Sequence, residues 1–283
     1  MKRLTHAALV APVAPVVLVA LVVLVALVAP VAPALVSSAY ADVTIKSTTT
    51  GKGLGMSGTM PGTVYIKGNK MRTDTVSGDT TRSVIFDLDT QKMISFDSKK
   101  KEADVYDMQK LSAEISQNVQ TSEMKASLKA NGKTKPIAGQ TAAGYDAEIT
   151  VPATMGGKDG MKMTVYLTGP MWIVKGAPGA SEYINFYKNA VEKGWFFTDP
   201  RAAKGQPGQA KAMAEMYRQL AATGGIPYEQ EMNIKMGGEG PMAGLMAKMG
   251  NISMTTSIES VTAGPVAADL FAPPAGYKLK EQK

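Results

Sequence analysis

Apolar residues recur at every second position in several short segments of this chain, and the segments end near Gly, Pro, Asn or Asp. The clearest sets are Met163, Val165 and Leu167; Met232, Ile234 and Met236; and Ile252, Met254 and Ile258. A period of two buries one face of a strand and leaves the other in water, which is typical of antiparallel sheets. We predict strands at Ser83–Leu88, Lys92–Phe96, Asp146–Val151, Met161–Thr168, Glu231–Met236 and Ile252–Val261.

Three other stretches have the spacing of amphipathic helices. Asp107 is a suitable N-cap for the first, Ser181 is a suitable N-cap for a second that ends at Gly194, and the third begins at about Pro207. Each has a single apolar face, so each should pack against a sheet. The predicted fold is therefore α+β: a curved antiparallel sheet, shaped as a half-open barrel, with two or three helices covering its concave face.

The first 41 residues have the features of a cleaved signal peptide. Lys2 and Arg3 precede an unbroken apolar run of 14 residues, Val16 to Ala29, and Ala39-Tyr40-Ala41 is a small-x-small cleavage site. A retained membrane anchor is the alternative, but the unbroken run is shorter than the ~20 residues that span a bilayer as a helix. We predict that residues 42–283 form a single domain in the periplasm or otherwise outside the cytoplasm, with no integral membrane span.

The composition excludes several kinds of functional site. The chain has no Cys, and its only His, His6, lies in the predicted signal peptide. The mature chain therefore has no disulfide, thiol nucleophile, Ser-His-Asp triad or histidine zinc site. Without Lys2 and Arg3, two of the 31 basic residues, 29 remain against 24 acidic ones, and this net charge of +5 is spread along the chain. We predict a protein that is not an enzyme, that uses no metal or cofactor, and that binds no nucleic acid.

Four short motifs carry a resemblance to a known family. They are Tyr65–Asp74 (YIKGNKMRTD), Ile85–Asp89 (IFDLD), Gly225–Pro227 (GIP) and Leu270–Lys278 (LFAPPAGYK). The chain resembles an uncharacterised family of exported bacterial proteins, which is similar in architecture to the periplasmic lipoprotein carriers of the Lol type. Those carriers are half-open antiparallel β-barrels whose apolar concave face is covered by helices and holds acyl chains. The resemblance implies a cavity for an acyl chain or another hydrophobic ligand, and it assigns no functional residue.

Aromatic and methionine side chains are the candidate lining of such a cavity. Aromatic residues concentrate near the second predicted helix, and Met242, Met246 and Met249 have helical spacing. Methionine is flexible and polarizable, so it suits cavities that accept ligands of varying shape. The predicted pocket residues are Trp172, Tyr187, Trp195, Phe197, Met213, Tyr217, Met242 and Met246.

Two features have other interpretations. Thioethers suit Cu(I), so the methionine cluster also fits a copper-binding chaperone, although no His or Cys accompanies it. Asp87 and Asp89 lie two apart, as a Ca²⁺ site or an acid–base pair would need. Asp is also typical of strand ends and turns, and the spacing of a calcium loop is absent. We favour pocket lining for the methionines and turn formation for the aspartates.

The function that fits these observations is a periplasmic binding or carrier protein. It would hold a lipid, an acyl chain or a lipoprotein segment in an apolar concavity, so the expected partner is a lipid or an acylated protein. The alternatives are a methionine-based copper chaperone and an envelope protein-interaction module whose interior is a solid core.

The mature protein is expected to begin at Asp42. Intact-mass measurement on the protein from a periplasmic extract tests this, and Ala41→Trp should block processing because the cleavage site requires a small residue. A mature mass that retains residues 1–41 would contradict the predicted cleavage.

Overall fold

A computed structural model of the chain describes residues 42–53, 56–117, 124–155, 161–195, 207–238 and 252–282. The stretch from Tyr40 to Lys283 forms one compact unit. The predicted signal peptide, residues 1–41, lies outside the described residues, so its cleavage stays a prediction.

Twelve strands form a single open, curved sheet. The strands are β1 (Val43–Gly53), β2 (Met56–Lys67), β3 (Lys70–Ser77), β4 (Thr80–Asp87), β5 (Lys92–Asp97), β6 (Glu102–Asp107), β7 (Lys125–Ile137), β8 (Gln140–Met155), β9 (Met161–Lys175), β10 (Gly225–Gly238), β11 (Ile252–Ala263) and β12 (Lys278–Glu281). Their spatial order is β12-β6-β5-β4-β3-β2-β1-β11-β10-β9-β8-β7. β1 to β6 form a first antiparallel meander and β7 to β11 a second, and the two meet where β1 pairs with β11. The predicted curved antiparallel sheet is confirmed.

The α-helices among the described residues lie between β6 and β7 and between β9 and β10. They are α1 (Met108–Gln117), α2 (Ala180–Glu192) and α3 (Pro207–Thr223). α1 follows β6, and α2 and α3 both lie between β9 and β10. α2 contacts β2 and β10, α3 contacts β7 and β8, and the two helices contact each other. They cover one face of the sheet, which we call the inner face.

The strand register identifies the inner face residue by residue, because direct cross-strand partners share a face. In the first meander the continuous row is Val43, Ile66, Met71, Phe86, Met93 and Tyr106. In the second meander it is Ala126, Ile149, Leu167, Ile234 and Ile252. Phe186, Ala190 and Leu220 of the helices pack into the same hydrophobic core. The main core therefore lies between the inner face and the helices.

The opposite face, the outer face, is covered over the first meander by the C-terminal segment, residues 264–282. A second, smaller core there consists of Ile85, Phe96, Ala103, Val266 and Phe271. Arg72 fixes the segment by donating to the carbonyl oxygen of Leu270 at 3.0 Å, and its other donors contact Asp74 and Ser83. The segment ends in β12, which pairs in parallel with β6 at the sheet edge.

One predicted helix cap is confirmed and another is wrong. The Asp107 carboxylate accepts hydrogen bonds from the backbone N–H groups of Gln109 and Lys110 at 2.9 and 3.1 Å, as an N-cap does. Ser181 lies inside α2, which begins after Gly179. Gly179 has φ of 69°, and a Cβ there would lie 2.6 Å from the Val43 side chain, so only glycine fits.

The predicted strands lie inside observed strands except at Leu88, which is in the turn after β4, and several observed strands are longer. The strand predicted at Asp146–Val151 belongs to β8, and the one at Met161–Thr168 belongs to β9. β7 was not predicted because it is an edge strand whose mostly exposed residues show no regular alternation. An apolar period of two indicates strands with one buried face, so it does not reveal an exposed edge strand such as β7.

The aspartates of the β4–β5 connection form a turn, as we favoured. The Asp87 carboxylate accepts from the N–H groups of Asp89 and Thr90 at 3.0 and 3.1 Å, and it pairs with Lys70 at 2.9 Å. Burial opposes ionisation of Asp87, but these bonds and the Lys70 ammonium together lower its pKa. Asp87 therefore stays ionised as a turn former.

Gly169 on β9 marks a close approach between strands. A Cβ at this position would lie 1.9 Å from the carbonyl oxygen of Glu231 on β10, and that backbone cannot move without breaking the pairing. We expect Gly169→Ala to lower the free energy of unfolding by about 2 kcal/mol or more in urea denaturation, as overpacking does. Gly264→Ala is the matched control, because nothing lies within 4 Å of its Cβ, and it should unfold like wild type. Equal stability of the two variants would contradict the predicted close approach.

Candidate functional site

α2 is fixed to the first meander by two polar contacts. The Glu182 carboxylate, which is buried, accepts a hydrogen bond from the backbone N–H of Gly68 in the β2–β3 turn. Seven residues further along α2, the Asn189 side chain donates a hydrogen bond to the side chain of Asn69 at 3.1 Å. A buried carboxylate needs such a donor, so these bonds hold α2 at a defined place on the turn.

α3 is fixed to the opposite edge of the sheet. The Gln219 side chain accepts from the N–H of Leu128 at 2.7 Å and donates to the carbonyl oxygen of Ala126 at 2.9 Å. It thus occupies the free hydrogen-bonding side of the edge strand β7. Glu215 accepts from Gln219 at 2.8 Å and pairs with Arg218, and hydrogen bonding from Arg218 lowers the pKa of Glu215. The bonds keep Gln219 oriented toward the strand.

The two helices meet through aromatic rings. The rings of Tyr187 on α2 and Tyr217 on α3 are stacked, with centroids 4.9 Å apart and planes 20° apart. Tyr183 and Phe186 flank Tyr187 at centroid distances of 4.6 and 5.8 Å. We call the contact between Tyr187 and Tyr217 the helix seam. Polar bonds fix α2 and α3 to different meanders, so the helix seam joins the two helices that cover the inner face.

Burial raises the pKa of each tyrosine in this group, Tyr183, Tyr187 and Tyr217. The Tyr217 phenol raises the pKa of Tyr183 and Tyr187 further, because ionised phenols would repel one another, whereas the hydrogen bond with Tyr187 acts to lower the pKa of Tyr183. The hydroxyl groups of Tyr183 and Tyr187 are also hydrogen-bonded to each other. Tyr217 keeps some exposed side-chain surface, but its hydroxyl group is buried. The phenols are therefore neutral donors at physiological pH.

Below the helices, several apolar side chains of the inner face remain only half-buried. They are Val64 on β2, Val84 on β4, Val165 on β9, Ile234 on β10 and Ile258 on β11. Met213 of α3, four residues before Tyr217, is also half-buried against the same core. These residues come from both meanders, so incompletely covered apolar surface extends across the middle of the inner face.

The structure brings together part of the predicted pocket. Tyr187 and Tyr217 form the helix seam, and Met213 lies one helical turn before Tyr217 on α3. Trp195 follows the end of α2. Its backbone N–H donates to the carbonyl oxygen of Ala190, and its side chain is buried in the main core. Phe197, Met242 and Met246 lie outside the described residues and stay predictions.

Trp172 is half-buried and packs against the main core, as Met213 and Tyr217 do. Its neighbours on β9, Met171 and Ile173, are buried on the inner face, so the alternation of a strand directs the Trp172 side chain to the opposite side of β9 from theirs. There the Lys135 ammonium lies 4.5 Å from the indole centroid and pairs with Glu229 at 2.6 Å. Composition alone does not separate Trp172 from its neighbours on β9, whereas its position in the alternation does.

Sequence reasoning did not place Tyr183 and Phe186 in the pocket, although both contact Tyr187. The signal was present, because residues three and four apart on a helix share a face. Tyr183 lies four positions before Tyr187, and Met213 lies four positions before Tyr217.

Among the described residues, no group of three or more His, Cys, Asp or Glu side chains is placed to hold a metal ion. Within the same residues, no helix combines the length and the apolar character needed to cross a membrane.

A solved structure from Vibrio parahaemolyticus, described as an outer membrane lipoprotein-sorting protein domain, is similar to this chain. The sequences are 8% identical, the TM-score is 0.30, and the match covers 82% of this chain and 89% of that chain. No family model matches this chain, and no curated protein matches it. Function is therefore inferred from the geometry of the chain's own residues.

The buried phenols predict a loss of stability at alkaline pH. A tyrosine unfolded in water ionises with a pKa of about 10, whereas the folded phenols keep their protons to higher pH. Above that value the unfolded state binds fewer protons than the folded state, so the free energy of unfolding should fall as pH rises. Urea denaturation at a series of alkaline pH values measures this dependence.

The slope of that dependence should be smaller in Tyr187→Phe, which lacks one buried phenol. A wild-type slope in Tyr187→Phe would show that this phenol does not stay protonated in the folded state.

Proposed function

We propose that this protein is a non-enzymatic binding or carrier protein that holds an acyl chain or a similar apolar ligand between the inner face and helices α2 and α3. The observation that carries the proposal is the half-buried apolar surface on the inner face, supplied by both meanders and lying beneath the helices. Ligand sites are concave and mostly apolar with a few polar groups, and this surface has that composition.

The apolar surface would provide most of the binding free energy. Transfer of a methylene group from water to an apolar environment contributes about 0.8 kcal/mol. An acyl chain laid against Val64, Val165 and Ile234 would replace water at these side chains with hydrocarbon contacts. A chain of ordinary lipid length can therefore be held without a charged recognition motif.

The attachment of the helices suggests how such a ligand would enter. α2 is bonded to the β2–β3 turn and α3 to β7, whereas the contact between the helices is made by stacked rings. Parting the rings of Tyr187 and Tyr217 breaks no hydrogen bond of these attachments. We propose that the helix seam opens to admit the ligand while the outer ends of the helices stay in place.

We propose a carrier that performs no covalent chemistry. The carboxylates that sequence reasoning considered for catalysis or Ca²⁺ binding are engaged elsewhere: Asp87 in a turn and with Lys70, and Asp89 with Asn69. The predicted signal peptide supports action outside the cytoplasm, where the expected partners are lipids or acylated proteins.

One structural observation is compatible with the copper-chaperone alternative. Met232 and Met254 are direct cross-strand partners on β10 and β11, so their side chains share the inner face. The same placement serves as pocket lining, because flexible thioether side chains adapt to an apolar ligand. We favour the lining interpretation since both methionines adjoin the half-buried apolar surface.

The proposal is tested first by native mass spectrometry of mature protein purified without detergent, followed by organic extraction. We expect a co-purifying acyl species near one per protein molecule. The delipidated protein should then bind the uncharged fluorophore N-phenylnaphthylamine and release it when a lipid is added.

Two neighbouring residues of β10 give a matched pair of variants. Ile234→Gln puts a polar group on the inner face and should weaken fluorophore binding about fivefold or more through lost apolar contact. Lys235→Gln introduces the same side chain at the next position, which is on the outer face, and this variant should bind the fluorophore like wild type. A bare mass together with a failure to bind the fluorophore would contradict the carrier function and favour the protein-interaction alternative.

A further inference from the structure

Three hydroxyl side chains lie together on the inner face. Thr49 on β1 and Thr256 on β11 are direct cross-strand partners, and their side-chain oxygens form a hydrogen bond of 2.9 Å. Ser47 lies two residues before Thr49 on β1, and Val43 of the inner face lies six residues before it. The pairing of β1 with β2 is regular over this length, so alternation places Ser47 and Thr49 on the same face as Val43. We call Ser47, Thr49 and Thr256 the hydroxyl cluster.

The hydroxyl cluster adjoins the apolar surface of the proposed ligand site. Ile258, one of the half-buried apolar residues of the inner face, is the direct cross-strand partner of Ser47. In the other direction along β11, Met254 lies two positions from Thr256 and shares its face. All three residues of the cluster are only half-buried. An acyl chain laid along this surface would therefore pass directly beside the hydroxyl groups.

Gly62 leaves space next to the cluster. It is the direct cross-strand partner of Ser47 on β2, and a Cβ at Gly62 would lie 3.2 Å from the Ser47 Oγ atom. The φ angle of Gly62 is not positive, so the backbone conformation does not require glycine there. The missing side chain leaves the Ser47 hydroxyl uncovered on the side of β2.

The hydrogen bond between the two threonines leaves one hydroxyl hydrogen unused. A hydroxyl group has one hydrogen to donate, and either threonine can be the donor in this bond. In both cases the accepting hydroxyl keeps its own hydrogen. Within the described part of the chain, neither threonine side chain has a second hydrogen-bond partner. In the free protein, water can accept this hydrogen.

A ligand that covers the cluster displaces this water and has to replace it as the acceptor. A hydrocarbon chain leaves the hydroxyl hydrogen unsatisfied, which weakens binding because a buried donor without a partner is costly. The carbonyl oxygen of an ester or an amide accepts the hydrogen and leaves the neighbouring acyl chain in contact with the apolar surface. The hydroxyl cluster therefore favours acyl ligands that have such a carbonyl group.

We propose that the hydroxyl cluster binds the carbonyl group of an acyl ester or amide, with the Thr49–Thr256 pair as hydrogen-bond donor. This assignment rests on the proposed carrier function. It adds a polar subsite to the apolar surface, and this subsite fixes where the carbonyl end of the acyl chain lies.

Monolaurin, the glycerol monoester of lauric acid, is the test ligand, and N-phenylnaphthylamine, which has no carbonyl group, is the reference. Displacement of the fluorophore from the mature, delipidated protein gives the monolaurin affinity. Thr49→Val combined with Thr256→Val removes both hydroxyl groups and nearly keeps the side-chain shape. The ratio of monolaurin affinity to fluorophore affinity should fall about three- to tenfold, the effect of one hydrogen bond.

The matched control is Thr50→Val combined with Thr255→Val. Thr50 and Thr255 are also direct cross-strand partners of β1 and β11, but they lie one position along and therefore on the outer face. The control makes the same two substitutions in the same strands, so it should keep the wild-type ratio. If the inner-face variant fails to bind the fluorophore, Ser47→Ala replaces it, and the ratio should fall in that variant also.

The outcomes separate the two proposals. If neither monolaurin nor the fluorophore binds the wild-type protein, the carrier function itself is overturned. If the fluorophore binds and monolaurin does not, the assignment of the hydroxyl cluster is overturned and the carrier function stands. A wild-type affinity ratio in the inner-face variant, or an equal fall in the control, has the same meaning.

Discussion

The pairing of β1 with β11 is the constraint on which the rest of this structure depends. β1 is hydrogen-bonded on both sides, to β2 and to β11, and it is the only described link within the sheet between the two meanders. No disulfide reinforces that link, because the chain has no Cys. Asp42, at the start of β1, strengthens it by accepting from the N–H of Val266 and pairing with Lys67. Each of the helices α2 and α3 is fixed to a different meander, so the geometry of the site follows from this junction.

Much of the fold could be predicted from alternation, because strands with one buried face leave that pattern in the sequence. The strands that include Met163 and Ile234 were found for this reason, and the helix after Asp107 was found from its cap. Alternation does not mark an edge strand such as β7. The start of α2 was misplaced because the available space around Gly179, set by Val43 of a distant strand, outweighs the local preference for a serine cap.

The site was predicted in part for equally specific reasons. Helical spacing brings Met213 and Tyr217 to one side of α3, and both contact the main core. Composition alone does not say which side of β9 Trp172 takes, because a shift of one position along a strand moves a side chain to the opposite face. The pairing of α2 with α3 through Tyr187 depends on where each helix is attached, which is decided by Gly68 and Leu128 in segments distant in sequence.

The short strand β12 has a consequence for how the protein behaves among its own copies. A sheet that does not close has two edges with unpaired backbone groups, and such edges are templates for fibrils and domain swapping. β12 becomes the edge strand beyond β6, where it is four residues long, exposed and mostly charged, and the side chain of Gln219 with the lysines of β7 occupies the other edge. Short and charged edge strands disfavour pairing with other chains, so we expect removal of β12, which uncovers the longer strand β6, to increase self-association of the protein.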